Sequence, residues 1–229
     1  MSHEFDIRRS VALPATPEQV WQAVATAAGQ AAWYMTAPEW PEPAEMADVC
    51  EPPHRLRIPI GDTQLIEFLI EADAGGTAVL RLVHSGVLDT EGHEDGWGDE
   101  FDAMTRAGWE MYLDTLRAYL RFFSGRPAGY AEAEAPGPGA WPSIVDAFGA
   151  PSAPGGTVEL TVAGTRQHGE IDYVTERFLG LRTDGGLIRF HNRSAIGLPV
   201  AVSHHDYTGA DPAALSSAWR TWLAEYTPG

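Results

Sequence analysis

The sequence predicts an α+β chain in two parts. Residues 1–125 read as an antiparallel sheet closed by one long helix, residues 126–139 as a linker, and residues 140–229 as a smaller sheet-and-helix domain. Three observations carry this. Short runs alternate apolar and polar residues, the period of a half-buried strand. A helical stripe from Trp97 to Phe123 recurs at spacings of three and four. Between Gly125 and Pro142, four prolines and four glycines break any regular element.

The elements follow in order. Phe5, Ile7, Val11 and Leu13 alternate as a first strand, ended by Pro14. Thr16, Pro17 and Gln19 then form a capping box with proline at the first helical position, ahead of the apolar stripe Val20, Trp21 and Val24. A second short helix or turn is expected over residues 31–35. The Pro- and Glu-rich stretch 37–53 reads mostly as loop. Residues 54–60, 63–72 and 77–84 alternate as an antiparallel meander. The long helix has acids near its start (Asp99, Glu100, Asp102) and arginines near its end (Arg117, Arg121), each suited to the helix dipole. Beyond the linker, a short helix is expected at 141–148. Strands are expected at 158–163, 170–174, 178–182, 186–191 and 200–206, with a hairpin turn at Asp184-Gly185. A last helix is capped by Asp211 and started by Pro212. Strands closed by one helix thus occur twice, with little identity between the halves.

Composition excludes several functions. Fifteen arginines stand against 32 acids, for a net charge of −17, and there is no lysine. Lysine Schiff-base and phosphate-loop chemistry are excluded. So acidic a chain is unsuited to a nucleic-acid backbone or to anionic lipid, and neither partner is expected. The single cysteine, Cys50, permits no intrachain disulfide. Met1 to Arg9 contains no apolar core of a secretory leader and no long apolar run follows, so a cytoplasmic location is expected.

Polar constellations give little chemistry. Residues 89–102 hold seven carboxylates and His93, at spacings that fit no EF-hand, and read as a solvated helix entry; no metal and no cofactor is expected. His204 and His205, adjacent on a strand, point to opposite faces, one toward the core and one toward solvent. His84 and His191 each close a predicted strand and read as core or rim histidines. Ser85 lacks a nucleophile elbow and an orienting acid, so no catalytic residue is assigned.

Aromatic residues remain. The eight tryptophans are a high count, and five of them, with Tyr34, fall in the first part. The stretches Val11 to Trp21, Trp33-Tyr34, Leu82-Val83-His84-Ser85-Gly86, and Gly108-Trp109 through Tyr112, Leu116 and Leu120 carry a resemblance. Residues 3–123 resemble the START-like (SRPBCC) helix-grip superfamily, in the branch similar to the C-terminal domain of the activator of the heat-shock-protein-90 ATPase. The resemblance implies a curved antiparallel sheet wrapped on its long C-terminal helix, with residues 140–229 readable as a reduced copy. That branch carries six or seven strands, and residues 37–53 are too short to supply all the early ones, so the grip is either shortened or completed by the C-terminal part.

The function expected from this reading is non-covalent binding of a small apolar or aromatic ligand between sheet and helix. Trp97, Phe101, Met104 and Trp109 on the helix, Trp33 and Tyr34 at one end, and His84 as a polar contact are the expected lining. Two alternatives stand beside it. One is a chaperone-activator-like module that binds a protein partner without a cavity. The other is a cyclase- or hydratase-type enzyme of the same superfamily.

Overall fold

The alternation at Phe5, Ile7 and Leu13 becomes strand β1 (Ser2–Leu13) in the computed structural model, which describes residues 2–37, 40–89, 91, 97–162 and 164–227. Helix α1 (Pro17–Ala25) starts as its capping box requires: Gln19 N–H donates to Thr16 Oγ1, and Thr16 N–H donates to Gln19 Oε1 at 3.0 Å. Val20, Trp21 and Val24 are buried. The second short helix, α2 (Ala27–Gln30), comes one turn earlier than the sequence suggests, because Thr26 caps it by accepting from Gly29 N–H at 3.0 Å. Trp33 and Tyr34 therefore lie in the turn beyond it.

The stretch read as loop holds a helical turn, α3 (Pro43–Met46), and a short strand, β2 (Val49–Glu51). Strands β3 (Arg55–Ile60), β4 (Gln64–Ala72) and β5 (Ala78–Asp89) form the meander. Helix α4 (Trp97–Phe122) closes the unit. The strand order is β1-β5-β4-β3-β2, all neighbours antiparallel. The first and last strands are thus adjacent, and the sheet draws its five strands entirely from this unit, Met1–Gly125.

The second unit, Arg126–Gly229, repeats this order of connection with one more strand. Its elements are β6 (Gly129–Glu134), α5 (Ala140–Ala147), β7 (Thr157–Val162), β8 (Thr165–Val174), β9 (Phe178–Thr183), β10 (Gly186–His191), β11 (Ala201–Asp206) and α6 (Pro212–Glu225). The strand order is β6-β11-β10-β9-β8-β7, again with the first strand against the last. Strand β6 lies inside the predicted linker, which is a correction to the sequence reading. Ile188, Phe190, Leu181 and Val202 pack with Phe148, Trp219 and Trp222 as its apolar core.

On the opposite face of β10 sits Arg189, fully buried, with its two terminal nitrogens on the two carboxylate oxygens of Asp172 at 3.0 Å each. Beside it His191 Nε2 meets Ser203 Oγ at 3.1 Å. Neither histidine of the adjacent pair faces solvent, contrary to expectation. His204 turns toward Trp219 of α6, His205 toward Tyr130 of β6, and both are buried. Asp206 accepts from Thr208 N–H at 2.9 Å and Ala210 N–H at 3.0 Å, shaping the turn into α6. Among the described residues no helix is long and apolar enough to cross a membrane.

Candidate functional site

The concave face of the first unit is built from every second residue of each strand. Three rows cross it in register. Leu56, Phe68 and Leu82 form the first, Ile58, Ile66, His84 and Ile7 the second, and Ile60, Gln64, Gly86 and Phe5 the third. Ring contacts of Phe68 with Trp109, and of Phe5 with Phe101, show that this face looks at α4. The first row is closed: Leu56 and Leu82 are wholly buried and Phe68 is 2% exposed. In the second row Ile66 is only half-buried. In the third, Gln64 and Gly86 are half-buried and Ile60 is 40% exposed. The sheet is therefore sealed at one end and uncovered at the β3–β4 corner of the other.

Helix α4 shows the same gradient. Leu116, Tyr119 and Leu120 in its C-terminal half are buried, whereas Phe101, Met104, Thr105 and Gly108 in its N-terminal half are half-buried. Gly108 leaves a gap in the stripe. It lies two turns after Phe101 and one turn before Tyr112 on the same side of the helix, and a Cβ built on it meets nothing within 4 Å. Gly108 is thus half-buried with open space beside it.

The expected site residues separate into three groups. His84, Trp109, Tyr34 and Phe101 come together. Trp109 Nε1–H donates to His84 Nδ1 at 3.0 Å. Tyr34 stacks on Trp109 with ring centroids 5.5 Å apart and planes within 7°. Phe5 bridges His84 and Phe101, each at 5.1 Å. Met104 lies half-buried on the intervening turn of α4. Trp33 stands behind this cluster: its ring is wholly buried, and its Nε1–H donates to Ala23 O at 2.8 Å. Trp97 opens α4, about 18 Å along the axis from Trp109 at 1.5 Å per residue, too far to share one compact site with it. His84 is in the middle of β5, not at its end, because that strand runs on to Asp89.

Phe5, Ile66, Gln64, Gly108 and Tyr112 join the cluster although the sequence reading did not place them there. Tyr112 lies 4.6 Å from Tyr34, ring to ring. The alternation in β1 and β4 already put Phe5 and Ile66 on an apolar face; only the register shows that it is the face shared with His84.

Electrostatically the cluster is neutral. Burial pushes the Tyr34 phenol up to about 12, so it stays protonated. Burial also holds His84 below the usual imidazole value. Among the described residues, four buried side-chain polar atoms lack a hydrogen bond: His3 Nε2, Arg9 Nε, His84 Nε2 and Asp102 Oδ1. His3 and Asp102 face each other at 3.2 Å, and Arg9 holds Glu110 through its Nη2 at 2.6 Å. His84 Nε2 is the one with no such compensation.

Other candidates hold less. Ser85 pairs with Asp6 in the ladder and so points to the face opposite His84, which rules out a dyad between them. Residues 92–96 of the acidic segment lie outside the described residues. Among those described, no three His, Cys, Asp or Glu side chains are grouped to hold a metal. Open grooves lie among the described residues of the second unit. One of about 640 Å³ runs along α6 past Ser217, Thr221, Trp222 and Glu225. Another, of about 410 Å³, lies between Trp141 and Val145 of α5 and the β8–β9 turn.

No protein-family model matches the chain, and no curated protein matches it. Solved structures similar to it include DynU16, a protein of the dynemicin biosynthetic locus, at 17% identity over 96% of this chain and 95% of that one, with a TM-score of 0.38. A Bacillus halodurans protein, BH1534, matches at 23% identity over 52% of this chain and 99% of its own, with a TM-score of 0.42. The Aha1 dimer from Colwellia psychrerythraea matches at 19% identity over 53% and 99%, with a TM-score of 0.41.

Proposed function

We propose that the first unit binds a small, uncharged, largely apolar or aromatic molecule in the recess between the open corner of its sheet and the N-terminal half of α4. The observation that carries this is the gap at Gly108, half-buried yet with nothing within 4 Å of a Cβ placed there. Phe5, Tyr34, Ile66, Phe101, Met104 and Tyr112 supply its walls. Flat rings with few polar groups are the usual lining of small-molecule sites. Binding here needs no covalent step, since no nucleophile and base are brought together among these residues.

A second reading has its own support. Met35, Trp40, Met46 and Ile60 are exposed large apolar residues, all in the segment from the α2 turn to the β3–β4 corner. Exposed apolar residues of this kind also suit a protein partner.

Gly108→Leu separates the two. The side chain fills the recess, and leucine is a better helix former than glycine, so the variant folds at least as well. With naphthalene as the probe, the wild-type protein should show quenched tryptophan fluorescence and a melting temperature that climbs with ligand concentration. The variant should show neither. An equal response from both proteins would place the arene elsewhere, and no response from either would leave the protein-partner reading standing.

A further inference from the structure

The hydrogen bond inside the recess fixes which proton His84 offers. An indole N–H can only donate, so the nitrogen it meets, Nδ1, is the acceptor. That bond requires an unprotonated Nδ1, which leaves the single proton of a neutral imidazole on Nε2. His84 is 9% exposed, and its Nε2 finds no acceptor among the described residues. Its ring neighbours are Phe5, edge-on at 5.1 Å, and Trp109, edge-on at 6.0 Å. Next to it in the third row is Gly86, where the backbone of Thr63 and the half-buried Gln64 come close. Buried donors are almost always paired, with protein or with water, so this one is available to an acceptor from outside the chain.

We propose that the molecule bound in the first unit carries an uncharged carbonyl oxygen, as in an aryl ketone, ester or amide, and that this oxygen accepts the hydrogen bond from His84 Nε2. The inference rests on the recess reading and narrows it from an apolar molecule to one with a single buried acceptor. A carboxylate is disfavoured. It would be desolvated beside a neutral imidazole with no countercharge, in a chain of net charge −17.

The second unit repeats the tryptophan–histidine bond without the space. Trp219 Nε1–H donates to His204 Nδ1 at 3.1 Å, but His204 is 2% exposed, and its Nε2 lies 2.5 Å from where a Cβ on Gly186 would sit. Glycine at 186 lets the backbone press directly on the imidazole, which leaves no room for a ligand atom there. One carbonyl-bearing molecule per chain follows.

The test uses three matched probes on the full chain: 2-acetylnaphthalene, 2-ethylnaphthalene and 2-naphthoate, titrated by calorimetry and tryptophan fluorescence. The ketone should bind about tenfold or more tightly than the hydrocarbon, as one hydrogen bond to an otherwise unpaired donor implies. It should also outbind the naphthoate and saturate at one equivalent. His84→Leu should erase the ketone's advantage while leaving the hydrocarbon within about twofold. Should that variant not fold, ¹⁵N NMR of His84 in the wild-type protein decides. The free protein should show the Nε2–H tautomer, with the Nε2 proton shifting on addition of ketone and not of hydrocarbon. Equal affinity for ketone and hydrocarbon, with Gly108→Leu still blocking both, overturns the carbonyl inference and keeps the recess. A Nδ1–H tautomer or two equivalents per chain overturns it too. Failure of all three probes to bind removes the recess reading and the inference together.

Discussion

Trp109 and His84 are joined by a buried hydrogen bond from indole Nε1 to imidazole Nδ1 at 3.0 Å, and Trp219 and His204 repeat it at 3.1 Å. In each unit the donor is on the closing helix and the acceptor on the last strand. Ile66 and Ile188 occupy corresponding positions, each paired with its histidine from the penultimate-neighbour strand. The bond adds a directional contact to the apolar stripe that turns this face of the helix inward.

Replacing Trp109 tests how much that contact holds. Trp109→Ala removes a 4% exposed ring that touches Tyr34, Phe68, His84 and Tyr112, and should cost about 3–5 kcal/mol in chemical denaturation. Trp109→Phe keeps most of the volume and leaves His84 Nδ1 unpaired, for a smaller loss of about 1–3 kcal/mol. A cost for Trp109→Ala below about 1 kcal/mol would contradict the packing described.

Acid should weaken the second unit through two buried histidines. His191 is pulled down to about 4 by burial, reinforced by Arg193 and Arg189; His204 is pulled to about 4 by burial, which Asp206 partly opposes. Both folded-state values lie below the ordinary imidazole value of about 6.5. Between these limits the unfolded chain takes up protons that the folded one refuses. Stability is therefore fully present above about pH 6.5, declines as pH falls toward 4, and loses about 3 kcal/mol per histidine across that window. Urea midpoints measured from pH 7 to pH 4 should show this decline, and His191→Gln should make it shallower. A flat profile between pH 7 and pH 5 would refute it.

The buried pair Arg189–Asp172 gives an asymmetric expectation. Asp172→Asn removes the carboxylate charge that both terminal guanidinium nitrogens contact, and should cost about 3–5 kcal/mol. Replacing both partners together, as Arg189→Met with Asp172→Leu, should recover most of that loss. Equal costs for the single and double variants would show that the charges are not coupled.

The sequence made some features readable and hid others for physical reasons. The start of α1 was legible because Thr16, Pro17 and Gln19 act within one turn of chain. Helix α4 was legible because its stripe repeats over seven turns. Strand β6 was not, because its inward residues are Ala131 and Ala133, small enough to blur the alternation. Helix α6 packs on this strand, and a Cβ on Gly129 would come within 3.3 Å of Pro212. Close packing selected residues that look like a linker. At the site, helical spacing brought out Phe101, Met104 and Trp109, but spacing treats Trp97 as equal to them although it lies three turns away. The partnership of Phe5, Ile66 and His84 depends on strands far apart in the chain, which no local period records. Gly108 was visible only as a member of the stripe, whereas its importance is the side chain it lacks.

The adjacency of first and last strands in each sheet governs when the protein can fold as it is made. Ile7 has no ladder partner until His84 exists, and Ala131 waits likewise for His204. Such distant pairings close large loops before any contact rewards them, which makes folding slow. During synthesis β1 must remain unpaired while almost the whole first unit leaves the ribosome, and β6 repeats that wait. In the finished sheet β6 touches only β11, so a chain ended before Ala201 leaves β6 as a bare strand able to pair with another molecule. Premature termination near the C-terminus therefore exposes a sticky edge at the opposite end of the second unit's sequence.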